Sequence, residues 1–599
     1  MSADPSRLDR LSPERRALLA KRLSALSAGG AGGGAGAGGA GVAAEPAAPH
    51  AAAPSGSGEP LARRAATPAG GGEPLSPAQM RLWRVSQGEP RRALYNLFHA
   101  VRLAGPLRRP ALAAALATVT ARHEALRTRF VETTAGPEAR VDPAPGTGPA
   151  PETEPAPGIA SELGAIPGPA GLPLPLVDLA ALAEARARRA AERALGELAE
   201  RRFDLARGPL LRAVLLRFSP AEHALLLIVH HIAIDAWSLT ILVREMAAAY
   251  AAHAAGQARK ELPPAFQAGD FTAWQARRLR AGALDAEVGW WRQRLAGAAP
   301  DGMAWPPRGR AAAAAAAGGR ASLVLDAAQA APLRELARRQ RVTLFVAALA
   351  AWKTLLHLRG GERDVTVGTV MAWRERPEAA GLVGLLLNLL VLRTDLGGDP
   401  TFAELLGRVR ETAFEAFAHP QAPFEHLAAQ LLPEAAAATV GAAAGAAAAA
   451  GADHRPATSA TPPTPSAPPT TPWIRGVVNM PLGEATHAAP LAAAGLEISP
   501  VLTGETGSEL DWTLHAREQD GGIRFDFGHA PGLFAPGEAA ALLDELGALL
   551  AAAAADPRRR LSQLSPPMFE GVEGVAGAAG GAAAHAGAAE IAGRRLLEA

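Results

Sequence analysis

Leu225-Leu226-Leu227-Ile228-Val229-His230-His231-Ile232-Ala233-Ile234-Asp235-Ala236-Trp237-Ser238 is the stretch whose reading decides the fold. Five consecutive apolar residues ending in two histidines are too short for a core helix and fit a strand buried on both faces. Ser238 can then cap a helix whose apolar face uses Ile241, Leu242, Met246 and Tyr250. His230, His231 and Asp235 therefore sit at a strand-to-helix junction, where a rigid scaffold ends and side chains become free for chemistry. A neutral imidazole at such a place accepts a proton near physiological pH. A bare His-x-x-x-Asp among 15 histidines proves little, so its surroundings decide.

Working outward, 599 residues with 49% hydrophobic content predict more than one folding unit. The 63 glycines and 51 prolines concentrate with alanine in stretches that cannot pack a core. Basic and acidic residues, 60 against 58, nearly cancel, which argues against nucleic-acid binding. Lysine is confined to Lys21, Lys260 and Lys353, a bias toward arginine. The absence of cysteine excludes disulfides, a thiol nucleophile and thiolate-bound metal, and fits a reducing compartment. No apolar run is long enough to span a bilayer, so no membrane role and a cytoplasmic location are expected.

Ser12 and Pro13 open a short amphipathic helix over 12–24, followed over 29–72 by a Gly/Ala/Pro tether without the lysine, strand and helix of a phosphate loop. Globular composition begins at Leu75, with a helix over 111–123 and extended chain over 126–132. A Pro/Gly/Ala-rich surface insertion is expected over about 136–175, then order from Leu176 and a charged helix to about Phe203. Residues 333–357 read as two helices around Val342-Thr343-Leu344-Phe345, and 365–370 as a strand. Residues 435–471 and the tail after about 564 read as disordered.

In this setting the central segment resembles the condensation domains of nonribosomal peptide synthetases, whose signature is His-His-x-x-x-Asp-Gly. Other motifs follow in the family's order: Ser76-Pro77-Ala78-Gln79-Met80-Arg81-Leu82-Trp83, then Arg122-His123-Glu124-Ala125-Leu126-Arg127-Thr128-Arg129-Phe130, then Phe203-Asp204-Leu205 ahead of Gly208-Pro209-Leu210. Asp270-Phe271-Thr272-Ala273-Trp274, Val383-Gly384-Leu385-Leu386-Leu387-Asn388 and His419-Pro420-Gln421-Ala422-Pro423-Phe424-Glu425 continue it. The likeness spans about 74–565, and its specificity lies in ordered co-occurrence.

The resemblance implies an α/β fold of two chloramphenicol acetyltransferase-like lobes forming a V around a central tunnel. The expected division is 1–73 as helix and tether, 74–255 and 256–565 as the lobes, and 566–599 as tail. The implied activity is amide-bond formation, in which an acyl or peptidyl group moves from a carrier-protein thioester to an amine. No cofactor or metal bound by the chain is implied, and the phosphopantetheine arms belong to partner carrier proteins. His231 is the implied catalytic residue and His230 an architectural one, a histidine there arguing against the heterocyclising subfamily. Asp235 is expected in a buried ion pair with Arg122, whose loss would cost roughly 3 to 5 kcal/mol. Trp237 and Ser238 are expected to pack and cap, and Asn388, Gly384 and Arg127 to line the tunnel.

Ala236 replaces the family's glycine, and its methyl would crowd the backbone if that position needs positive φ. Leu389 replaces a usual threonine, and the last arginine-rich motif is not recognisable, although 473–480 would resume its strand. Asp526-Phe527-Gly528 resembles the start of the plant acyltransferase Asp-Phe-Gly-Trp-Gly motif but continues as His529 and Ala530, which suits a second lobe with Asp511 in the preceding strand. Motifs for phosphopantetheine attachment, adenylation or a thioesterase elbow are not found, so a free-standing protein using carriers in trans is expected. Ester formation by the same fold and a non-catalytic carrier-docking module are the alternatives; an epimerase is disfavoured because Leu239 follows the motif serine.

Overall fold

The computed structural model describes residues 60–64, 71–88, 93–143, 174–257, 266–306, 319–374, 376–432, 471–480, 491–505 and 510–564. The helix expected at 12–24, most of the tether, residues 435–470 and the tail lie outside them.

The first half runs β1 (Glu73–Pro74), α1 (Pro77–Gly88), β2 (Asn96–Ala104), α2 (Arg109–Arg122), a 3-10 turn (Glu124–Arg127), β3 (Thr128–Thr133), β4 (Gly136–Val141), β5 (Leu176–Asp178), α3 (Glu184–Glu200), β6 (Leu211–Ser219), β7 (Glu222–His230) and α4 (Ala236–Ala254). The second half opens with α5 (Ala268–Arg280), α6 (Asp285–Leu295), β8 (Gly319–Leu325), α7 (Ala327–Gln340), α8 (Leu344–Gly360), β9 (Asp364–Ala372), α9 (Pro377–Ala380) and β10 (Leu387–Asp395). It closes with α10 (Phe402–Ala418), α11 (Phe424–Leu431), β11 (Gly476–Asn479), β12 (Leu491–Ala493), β13 (Leu496–Glu505), β14 (Trp512–Gln519), β15 (Gly522–His529), α12 (Glu538–Ala555) and a 3-10 turn (Leu561–Leu564).

Two six-stranded sheets organise the halves, in the orders β12-β13-β2-β7-β6-β5 and β10-β9-β11-β14-β15-β8. β7 lies inside the first, antiparallel to both β2 and β6, and every residue after Glu222 in it is buried. That accounts for its unbroken apolar run: Leu116 and Val119 of α2 and Leu242 and Met246 of α4 gather about Leu227 and Val229, and α3 packs against β2 and β7. In the second half α8 is buried over 345–356, between its Thr343 cap and the left-handed Gly361. Lys353 within it is buried as well, and its ammonium donates to the carbonyls of Val365 and Leu392 and to Thr394 Oγ1, tying the helix to β9 and β10.

The halves exchange chain. The β12–β13 hairpin leaves the second half and joins the first sheet on β2, so a cut at 255 does not separate the two sheets. Conversely, Val383 and Leu385 enter the first core, while Leu382 and Leu386 turn to a small cluster with Leu61, Phe271 and Trp274. The expected insertion over 136–175 starts too early, because Gly136–Val141 is the middle strand of a three-stranded sheet β1-β4-β3. The turn into it uses Gly136 at φ 114°, and its Gly-Pro-rich composition masked a hairpin. The strand expected near 473–480 is β11, parallel to β9 and β14. It follows Arg475, whose buried ion pair with Asp511 places that aspartate just ahead of β14.

Candidate active site

His231 ends β7 by donating its backbone N–H to Tyr95 O at 2.7 Å, and the chain then turns through Ile232–Ile234 into α4. Its ring is half-buried, with Tyr95 edge-on at 6.3 Å between centroids. Nδ1 lies 2.7 Å from Ile234 O. A carbonyl only accepts, so Nδ1 carries the hydrogen, which leaves Nε2 as the one ring nitrogen that can offer a lone pair. His230 has the opposite tautomer, because its Nδ1 accepts the Ile232 N–H at 3.2 Å. Burial above all, then the neighbouring His231 imidazole and the charges of Arg212 and Arg202, push it down to about 3, so it is a neutral framework histidine packed on Phe203.

The helix cap is Asp235, with Ser238 one turn inside: Asp235 Oδ1 accepts from Ser238 N at 2.9 Å and Ser238 Oγ at 2.7 Å. The expected ion pair with Arg122 is not formed. Arg122 binds Glu245 at 3.2 Å, which His123 Nε2 also contacts at 2.7 Å, and both acceptor and donor face one another across α2 and α4. Asp235 instead receives Arg374 Nη2 at 2.8 and 2.9 Å on its two oxygens, with both side chains buried. Arg374 is held in turn by the carbonyls of Ala379 and Leu382. Leu386 N adds a bond to Asp235 Oδ2 at 3.2 Å, and Asp235 N donates to Gly384 O at 3.1 Å.

Gly384 is thus a joint. Its N–H donates to Ser238 Oγ, whose single hydrogen is shared between Gly384 O and Asp235 Oδ1, and a Cβ there would lie 2.4 Å from the Cβ of Ala268, so only glycine fits under α5. Ala236 is exposed at the first position of α4, and it is not among the residues of positive φ, so the methyl meets no conformational barrier. Trp237 is 41% exposed beside it, with Nε1 bonded to Ala380 O and its ring 5.9 Å from the Arg374 guanidinium carbon.

Two expected tunnel residues are committed to the framework. Asn388 is buried; its amide nitrogen donates to Pro420 O and Ala422 O, and its oxygen accepts from Leu389 N and Phe424 N, which spends its hydrogen-bonding capacity on the 420–424 loop. Arg127 binds the carbonyls of Thr120, Ala121 and Asp142, fastening the end of α2 to the chain after β4. Arg374 and Tyr95 were not found by sequence reasoning. Tyr95 carries a signal, being one of two tyrosines and directly ahead of β2, but Arg374 has only its place just beyond β9. Among the described residues no group of His, Asp and Glu could hold a metal, and no single helix is long and apolar enough to cross a membrane.

A family model for the condensation domain matches residues 71–142 and 170–439. The chain belongs to the condensation-domain family. A linear gramicidin synthase of Brevibacillus parabrevis is 38% identical over 356 residues, 59% of this chain but 6% of that protein. Among solved structures, the X-domain from teicoplanin biosynthesis has a TM-score of 0.65 and 28% identity, covering 85% of this chain and 100% of that one. The first condensation domain of the calcium-dependent antibiotic synthetase has a TM-score of 0.63 at 21% identity, covering 82% and 98%, a likeness of fold. The chloramphenicol acetyltransferase-like architecture expected from the motifs is the one observed.

Proposed function

We propose that this chain forms an amide bond, transferring an acyl or peptidyl group from a carrier-protein thioester to the amine of a carrier-bound or free acceptor, with His231 as the catalytic residue. The observation that carries the reading is the His231 Nδ1 contact with Ile234 O at 2.7 Å. With Nδ1–H spent on Ile234 O, the ring offers Nε2 as an acceptor from a half-buried position. The acceptor amine attacks the thioester carbonyl, forming the C–N bond while Nε2 takes or holds its proton. The tetrahedral adduct collapses with C–S cleavage, and the departing sulfur takes a proton to leave as the thiol. Phosphopantetheine arms of carrier proteins acting in trans, in the cytoplasm, would deliver the reactants, and their confinement supplies the effective concentration.

A docking role is the second reading, favoured by one observation: the teicoplanin X-domain, similar to this chain at 27% identity in that structure, was solved in complex with OxyB. Coupling of a carrier-bound acyl thioester to amine and alcohol acceptors separates the readings. His231→Ala is expected to abolish amide formation with an unchanged melting curve. Full activity in that variant refutes the catalytic assignment, and an alcohol preferred over an amine reassigns the reaction to ester formation.

A further inference from the structure

Residues 60–64 lie as a strap across the outside of the joint that holds Asp235. Leu61 is buried among Phe271, Trp274, Ala379, Leu382 and Leu386. Arg64 brings together carboxylates from three elements: Glu73 on β1, Glu124 at 2.7 Å on the 3-10 turn, and Asp270 at 3.6 Å in the first turn of α5. Its backbone N–H also donates to Asp270 Oδ1 at 3.0 Å. Gly269 makes room for it, since a Cβ there would come within 1.9 Å of Arg64 Nη1. Burial works against the charge, but the hydrogen bond and charge of Glu124, with Glu73 and Asp270, more than offset it and hold the guanidinium above its ordinary value.

The contacts continue inward. Leu382 and Leu386, which cage Leu61, also supply the carbonyl that binds Arg374 and the N–H that binds Asp235. Ala268, next to Gly269, is the residue on which Gly384 sits. A cavity of about 30 Å³ is lined by Arg64, Glu124 and Gly269 together with Ala233 of the turn that follows His231. We propose that Leu61 and Arg64 are positioning residues, fastening α5 and the 382–386 segment from outside and so fixing Asp235 and the turn that aims His231. This rests on the catalytic reading of His231.

The test uses the full chain with Arg64→Ala, Arg64→Lys, Leu61→Ala and, as control, Arg338→Ala, which removes an exposed pair with Glu335. Arg64→Ala is expected to lower kcat about tenfold with KM for both substrates nearly unchanged, since misaimed catalytic groups lose rate before affinity. Lysine, keeping the charge, is expected to restore part of it. Hydrogen exchange of the Asp235 and Leu386 amides is expected to quicken about tenfold in Arg64→Ala and Leu61→Ala but not in the control. Unchanged kcat in Arg64→Ala, or unchanged exchange at those amides, overturns the proposal. If Arg64→Ala fails to fold, the Leu61→Ala exchange decides. An inactive parent chain would sink the catalytic reading alone, and exchange would still decide the strap.

Discussion

Arg374→Ala is expected to be among the costliest single substitutions in the molecule, and Arg122→Ala one of the milder ones among the site residues. Arg374 and Asp235 side chains are 3% and 5% exposed, so removing the guanidinium leaves a carboxylate buried without its counter-charge, a loss of about 3–5 kcal/mol. The Ala379 and Leu382 carbonyls lose their arginine donor in the same step. Arg122 and Glu245 are 17% and 22% exposed, and Glu245 keeps His123, so that pair is worth about 1 kcal/mol or less.

Urea unfolding of the two variants should therefore separate them by about 3 kcal/mol at similar m-values. Because Asp235 also sets the turn below His231, kcat should fall further in Arg374→Ala than in Arg122→Ala. Adding Asp235→Asn to Arg374→Ala removes the stranded charge and should recover part of the loss, with a coupling of about 1–3 kcal/mol. Arg122→Ala costing as much as Arg374→Ala, or no coupling between 374 and 235, would refute the reasoning.

Buried His99 and His230 are held down to about 4 and about 3, neutral when folded and protonated when unfolded below about 6.5. Their stability contribution is complete above that pH and is lost as pH falls toward 4, with a slope near pH 5 of about 2.7 kcal/mol per unit for the pair. Urea unfolding at pH 5 and 6 measures it together with the like contribution of His515, also held down to about 4, and a slope that His230→Phe does not lower by about 1.4 kcal/mol per unit contradicts the assignment. Asn388→Ala is expected to destabilise by about 2–3 kcal/mol, because it frees the 420–424 loop, while KM stays put. A raised KM with intact stability would return Asn388 to the substrate path.

The elements that were legible in the sequence are those whose local pattern has one stable burial. β7 has five apolar residues that only a strand covered on both faces can hide, and α8 combines a Thr343 cap, a Gly361 stop and apolar residues all round. Where two residues shared a propensity, the choice went astray. Asp235 and Ser238 are both good caps, and the tertiary bond to Gly384 draws Ser238 inward and leaves Asp235 at the boundary. The β3–β4 hairpin was hidden by turn-like composition.

The partner of Asp235 could not be read from pattern at all, because a charge pair is selected by which side chains the fold brings together. Arg122 lies in the family's second motif, yet α2 and α4 pack so that it meets Glu245, about three turns along α4 from the cap. Arg374 comes from just past β9, on the other side of the joint. The consequence is that the histidine's aim is set by residues its own motif does not contain. Nδ1 is anchored by Ile234 O, the next residue is held by Gly384 O, Leu386 N and Arg374, and of these Arg374 is held by Leu382 O and Gly384 packs on α5. A chain can therefore keep every letter from His230 to Ser238 and still lose the geometry through a change on the second half, which is why the decisive substitutions lie at 374 and 384 as much as at 231.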